Sequence, residues 1–421
     1  MSKVLKQKQI DILLMGIFRW DGSYSSISIA LAKEFARHNR VFYINHPNSV
    51  KDILSNNGAI HEAANRSLSR SSFQEIHDQL IIVDPPLSLP VNWLPDGAFY
   101  DWMARYNYRL TDQCIQQTIK KYQIKDFIYI NCFDPYVTYR LPSALRPLLT
   151  IYQSVDDISQ SDYTVKHGPR LEIKAIQAAD ITLVTSTELH RLQSAYSSQV
   201  HILNNAADTR IFRRALEEEF PRPKELQKIK GPIIGYMGNL DNMRVNYDLL
   251  KQVAETHQDK TLVLIGPINN NQYLELGLDK MPNVIFTGGK PIEELPRYLK
   301  YFDCALIPFH CNTLTRSIYP LKINEYLAAG KAVVSTNFSE DISGFKEHIF
   351  LAANESDFVA RIDQAIAHNT ETIISERLAV AQSNTWAARV AQFWQIIKQA
   401  LEGKGLALET DRKANYQKTE E

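Results

Sequence analysis

Charge of one sign is the first thing this sequence lacks: Lys and Arg total 47, and so do Asp and Glu. A net charge of zero excludes the broad basic face that nucleic acid requires, though not a single local anion pocket. Cysteine is scarce as well. Cys114, Cys132, Cys304 and Cys311 form no CxxC pair and match neither zinc-ligand nor disulfide-framework spacing. They read as small core fillers, and free thiols point to a reducing cytoplasm. Long apolar runs are absent. The first one, IDILLMG, is strand-length and has no small-residue cleavage site, so it reads as a first strand rather than a leader. Nothing approaches the ~20 apolar residues of a membrane span. A chain of this kind can lie on a membrane face but not cross it. The dinucleotide fingerprint GxGxxG is also missing.

What is present is an alternation of strand-length apolar runs and amphipathic stretches. IDILLMG, SISIALAKEFARHN and RVFYIN make a β-α-β pattern, which implies a parallel sheet covered by helices. Residues 47–75 are polar and suggest a loop with short helices. Residues 85–98 carry four prolines and must be irregular. TDQCIQQTIKKY, DFIYIN, LLTIYQSVDD, ITLVTS, TELHRLQSAYS and VHILNN complete one doubly wound unit. EEEFPRPKELQKIKG, residues 217–231, is charged and broken by proline, so it reads as a linker. The same grammar then restarts with GPIIGYMG, YDLLKQVAETH, TLVLIGP, NVIFTGG, IEELPRYLKYF, CALIPF and KAVVST. At 421 residues, two Rossmann-like domains are expected. Their spans are 1–210 and 211–385, followed by an amphipathic helix over 386–402 that docks back on the first domain and a polar tail over 403–421 that frays. Closure would hinge near 205–232 and 384–390.

Ligands of open α/β sheets bind beyond the carboxyl ends of the strands. Three places there hold suggestive residues. Gly16 ends the first strand, ahead of a serine-rich helix start. In GYMGNLDNMRVN, Gly238 follows a strand and Arg244 stands six residues on, with a planar fork that matches phosphate oxygens. In IPFHCNTLTRSIYPLKINEYLAAG, the cap-type residues Asn312, Thr313, Thr315 and Ser317 and the first-turn Pro320 open a helix. Its free amides and dipole would hold an anion, aided by Arg316 and Lys322. Glu325 lies one turn inside. It suits two ribose hydroxyls rather than a phosphate; the alternative is a surface i,i+3 pair with Lys322. Trp93, Tyr100, Trp102, Tyr106 and Tyr108 read first as core packing, with a sugar or a membrane-borne carrier as the alternative.

The ordered set AADITLVTSTELHRL, VHILNNAADTRIF, GPIIGYMGNLDN, LVLIGP, NVIFTGGKPIEELPRYLKYFDCALIPF and YPLKINEYLAAGKAVVST resembles the nucleotide-sugar half of retaining GT-B glycosyltransferases, the family-four group that includes capsule and exopolysaccharide enzymes. NTWAARVAQFW resembles their closing helix. The resemblance implies a GT-B fold. It implies transfer of a sugar, with retention, from a nucleoside diphosphate to a carbohydrate or lipid-linked acceptor, without metal or cofactor. Glu325 matches the second glutamate of the family's Glu-x7-Glu motif, whose first position is Ser317 here. Arg244 matches a phosphate-binding lysine, and Asn239 stands where an arginine is usual, a gap that Arg316 or Lys322 would fill. Lys290 and Pro291 match the base-holding turn, and Gly16 the first-loop glycine. In SVDDISQS, Asp156 and Asp157 resemble a Y-x-x-VDD segment and suit acceptor binding or proton handling, or else a loop cap. The family's N-terminal histidine has no counterpart by motif: neither His46 nor His167 sits in a matching one. A nucleotide-sugar epimerase and an inactive binding protein on the same fold are the competing readings.

Overall fold

A computed structural model describes residues 4–22, 26–53, 70–160 and 164–409. It divides into two compact units. The first takes residues up to Thr185, Leu189–Leu203 and Val390 onward; the second takes Ser186–Glu188 and Asn204–Arg389.

In the first unit, β1 (Val4–Lys6) precedes β2 (Asp11–Gly16), β3 (Val41–Asn45), β4 (Ser72–His77), β5 (Leu80–Asp84), β6 (Phe127–Cys132), β7 (Leu149–Ser154), β8 (Ile181–Val184) and β9 (Val200–Ile202). The strands of the sheet interior are buried on both faces, which is why they read as unbroken apolar runs. The order is β4-β5-β3-β2-β6-β7-β8-β9, parallel except for the edge strand β4. Since β2 lies between β3 and β6, the winding reverses there. Helix Ile27–Phe35 covers one face, and Phe35 meets Phe393 of helix Trp386–Gly403 edge-to-face at 4.8 Å.

The second unit repeats the plan with β10 (Ile233–Met237), β11 (Thr261–Ile265), β12 (Val284–Gly288), β13 (Cys304–Ile307), β14 (Val333–Thr336) and β15 (Phe350–Ala352), in the order β12-β11-β10-β13-β14-β15. Every pairing is parallel, and the reversal falls between β10 and β13. A single core runs through this unit, from Phe212 to Ala381.

Four expectations change. The stretch 217–231 is not a free linker but part of the second unit, because its charges find partners. Arg214 pairs with Glu218, Lys290 Nζ lies 2.8 Å from Glu225, and Tyr301 donates to the Phe220 carbonyl. Residues 72–77 form β4 rather than a loop. The helix expected from Thr111 starts at Ala98. Of the 403–421 tail, Ala407–Glu409 form β16, which pairs in parallel with β1; residues 54–69 and 410–421 lie outside the described residues.

Candidate functional site

The second unit's switch point is built by β10, β13 and helix Leu321–Ala328. Ile323, Asn324, Tyr326 and Leu327 bury one side of that helix. Tyr326 fixes its height, since its hydroxyl accepts from the Met237 amide at the end of β10, at 2.9 Å. Lys322 and Glu325 are thereby left half-buried on the other side. The Lys322 ammonium lies 5.5 Å from the Tyr236 ring and 5.8 Å from the Phe309 ring. It reaches over Gly238, where a Cβ would stand 2.1 Å from Lys322 Cε and 2.5 Å from Nζ. The φ of +145° at Gly238 also excludes other residues. The loop after β10 is held by the Tyr236 hydroxyl donating to the Asn239 carbonyl, the Tyr247 hydroxyl donating to the Leu240 carbonyl and the His310 backbone amide donating to the Arg244 carbonyl. Arg244 turns back on Asp241 at 3.3 Å and stays partly exposed.

Lys322 has no hydrogen-bond or ion-pair partner among the described residues, and no contact within 4.0 Å joins it to Glu325. The surface-pair alternative is therefore not what forms. Burial pulls the Lys322 ammonium below its usual range. Glu325 opposes that shift and Arg244 adds to it. Burial likewise pushes the Glu325 carboxyl up, against the pull of Lys322. Both charges are thus desolvated without direct compensation. An incoming anion and a pair of incoming hydroxyls would supply what each lacks.

The other residues singled out in this unit have different placements. Asn312 and Thr315 form a capping box, but on the separate one-turn helix Thr313–Arg316 rather than on the helix carrying Lys322. Thr315 is fully buried and donates to the His310 carbonyl. Ser317 is buried and donates to the Leu314 carbonyl at 2.8 Å. Neither hydroxyl is presented to a ligand, which corrects their expected role. Pro320 is the cap of helix Leu321–Ala328, not its first turn. Arg316 is exposed. Lys290 is held by Glu225, and Pro291 caps the turn that follows β12.

At the first unit's switch point, Gly16 answers a packing need: a Cβ there would sit 2.5 Å from the Tyr43 hydroxyl. Asp157 accepts from the Ser159 amide and hydroxyl, the loop-cap alternative, while Asp156 is half-buried beside it. The residues that sequence reading did not place are His46 and Asp134. His46 follows β3 and Asp134 follows β6, on either side of β2, and they meet at 2.7 Å. Asp134 is fully buried. Burial lowers the His46 pKa, and the Asp134 carboxylate more than reverses this, so the imidazole titrates above its ordinary value. Arg19 completes the cluster by donating to the His46 carbonyl and to Asp84, at 2.9 and 2.7 Å. The available signal was position, since both members of the dyad come within two residues of a strand end. Among the described residues, no three His, Cys, Asp or Glu side chains gather as metal ligands.

Over 94% of its length the chain superposes on the whole of sucrose-phosphate synthase from Thermosynechococcus elongatus, with a TM-score of 0.67 and 13% identity. HepE of Anabaena, in complex with UDP and glucose, matches 93% of the chain over its whole length, with a TM-score of 0.62 and 15% identity. The chain has the GT-B fold. Within this GT-B chain, residues 231–368 match the family of group 1 glycosyl transferases, a span that holds Gly238, Arg244, Lys290, Lys322 and Glu325. The chain is 27% identical over 235 residues to TuaH of Bacillus subtilis, named as a candidate teichuronic acid biosynthesis glycosyltransferase. That match covers 54% of this chain and 58% of TuaH. No helix among the described residues is long and apolar enough to cross a membrane.

Proposed function

We propose that the protein is a nucleotide-sugar glycosyltransferase that moves a hexosyl group from a nucleoside diphosphate to an acceptor hydroxyl, with retention and without a metal. The observation that carries this reading is Lys322: a partly desolvated ammonium with no partner among the described residues, held over a side-chain-free Gly238 at a switch point, with Arg244 in electrostatic range. As the bond from the anomeric carbon to the diphosphate oxygen breaks, negative charge collects on the leaving group. Lys322, Arg244 and the first amides of helix Leu321–Ala328 meet that charge without reorganising. Glu325, one turn further in, accepts hydrogen bonds from the ribose hydroxyls. The acceptor oxygen takes the anomeric carbon from the face the diphosphate leaves, and its proton departs with the product phosphate.

UDP-sugars are the first donors to try, because HepE is held with UDP and with UDP-glucose. The likeness to TuaH favours a polysaccharide or lipid-linked saccharide as acceptor. The test is a panel of UDP-, GDP- and ADP-sugars, read by thermal shift and by slow donor hydrolysis, with the product anomer assigned by NMR. A shift and hydrolysis that survive EDTA are expected. Epimerised donor, or neither shift nor turnover with any nucleotide, overturns the reading.

A further inference from the structure

Helix Ala98–Lys121 leaves one stripe uncovered. Phe99, Trp102 and Tyr106 recur at three- and four-residue intervals, which puts them on one face. They are 59%, 66% and 49% exposed, and Trp93, in the loop that leads into the helix, is 71% exposed. The core expectation holds for their neighbours: Tyr100 is fully buried and stacks on His167 at 3.8 Å, and Tyr108 is partly buried. The exposed rings are therefore not a failure of packing.

The platform under them is fixed. The Trp93 indole donates to the Pro90 carbonyl at 2.8 Å, and Lys166 donates to the Trp93 carbonyl at 2.7 Å. Phe99 and Trp102 stack with centroids 6.0 Å apart. The charges around the stripe are sorted as well. The nearby acids Asp96 and Asp101 are both engaged by Arg170, at 2.7 and 3.1 Å. Arg105 and Arg109, on the same exposed stripe, have no acidic partner among the described residues. Asp112, at its edge, is half-buried.

We propose that this face is a docking surface for an anionic lipid bilayer. Exposed tryptophan and tyrosine have the amphipathic rings that settle at the headgroup level, and unpaired arginines beside them complement acidic lipids. A sugar platform would instead keep acids free beside its rings to bind hydroxyls; here Asp96 and Asp101 are engaged by Arg170, and the Asp112 Oδ1 atom is buried rather than offered to a ligand. The inference concerns the first unit alone and goes beyond the sugar-transfer reading.

The test is flotation of the full chain with vesicles of phosphatidylcholine alone and of phosphatidylcholine with 30% phosphatidylglycerol, with tryptophan emission as a second readout. The wild type should float only with the anionic vesicles, blue-shift on binding and detach at high salt. Trp93→Ser with Trp102→Ser, and separately Arg105→Glu with Arg109→Glu, should each lower partitioning about tenfold or more at unchanged melting temperature. Failure of the wild type to float with anionic vesicles overturns the proposal. So does flotation equal to wild type in both double variants, or protection of the indoles by a soluble oligosaccharide in place of vesicles.

Discussion

The two switch points share one topology and treat charge in opposite ways. In the first unit the ionic groups found there are paired with one another, His46 with Asp134 Oδ2 and Arg19 with Asp84 and Asp21, although Asp134 Oδ1 is buried without a hydrogen-bond partner. In the second unit the ammonium of Lys322 is desolvated and has no partner among the described residues, and Glu325 lies near it but beyond pairing distance. A closed network stabilises the fold and holds its loops. An unpaired one stores an unmet electrostatic demand, which on the proposed function a ligand of opposite charge would meet. On the proposed function, the same fold thus carries an ion-paired version and a receptive version of one switch point.

The largest effect expected from this contrast is on turnover. Lys322→Met removes the unpaired cation and should slow donor consumption by about 10²- to 10³-fold. The melting temperature should hold or rise, because a poorly compensated ammonium has gone. A variant that keeps wild-type turnover would break the comparison at its centre. Next in size is Glu325→Gln, which should weaken UDP binding about tenfold. Wild type should prefer UDP to its 2′,3′-dideoxy analogue, and the variant should not. Titration calorimetry with both ligands checks this.

Which parts of this were legible in the sequence follows from how far apart the cooperating residues lie. Buried parallel strands such as β2, β3 and β6 announce themselves because both faces are apolar. β4 does not, since most of its residues face solvent, and β1 and β16 are three-residue strands brought together from opposite ends of the chain. The helix start at Ala98 was hidden because Phe99 and Trp102 are exposed where an apolar period would predict burial. Lys322 and Glu325 were readable because their relation is local, one helical turn. The capping residues around Asn312 were visible too, but sequence alone did not show that they close a separate helix. His46 and Asp134 are 88 residues apart, and only the strand order β3-β2-β6 makes them neighbours.

The closed site offers the next prediction, one of stability rather than turnover. His46 has a folded pKa above its unfolded value, so the dyad contributes fully below about pH 6.5 and its contribution fades as pH rises through the folded value. His46→Gln should cost about 1–3 kcal/mol at pH 6, with part of the loss being the buried Asp134 left without its partner. The deficit should shrink by pH 9. Urea unfolding at the two pH values measures it, and a deficit that grows with pH would reverse the assigned sign. Glu172 gives a related check. It is buried under Tyr152, Ser154 and Gln193, and burial pushes its carboxyl up to about 7. Between the unfolded value and 7, the unfolded chain has released a proton that the folded chain keeps, so raising pH in that window destabilises. Glu172→Gln should flatten that slope.

The smallest expected effect discriminates most sharply between two residues. The family resemblance places an arginine where this chain has Asn239, which on the proposed function leaves one cation to be supplied, and by sequence either Arg316 or Lys322 fits. The structure separates them: Arg316 is exposed, whereas Lys322 is half-buried against Gly238. An exposed charge works through high dielectric and is screened within about 10 Å at ordinary salt, so its pull on a phosphate is slight. Arg316→Ala should therefore leave turnover within about twofold at 150 mM salt, with any deficit vanishing at higher ionic strength. If Arg316→Ala instead produced the hundredfold loss and Lys322→Met the near-silent result, the receptive charge of the second unit would be the exposed one. Desolvation would then not be what distinguishes the two switch points.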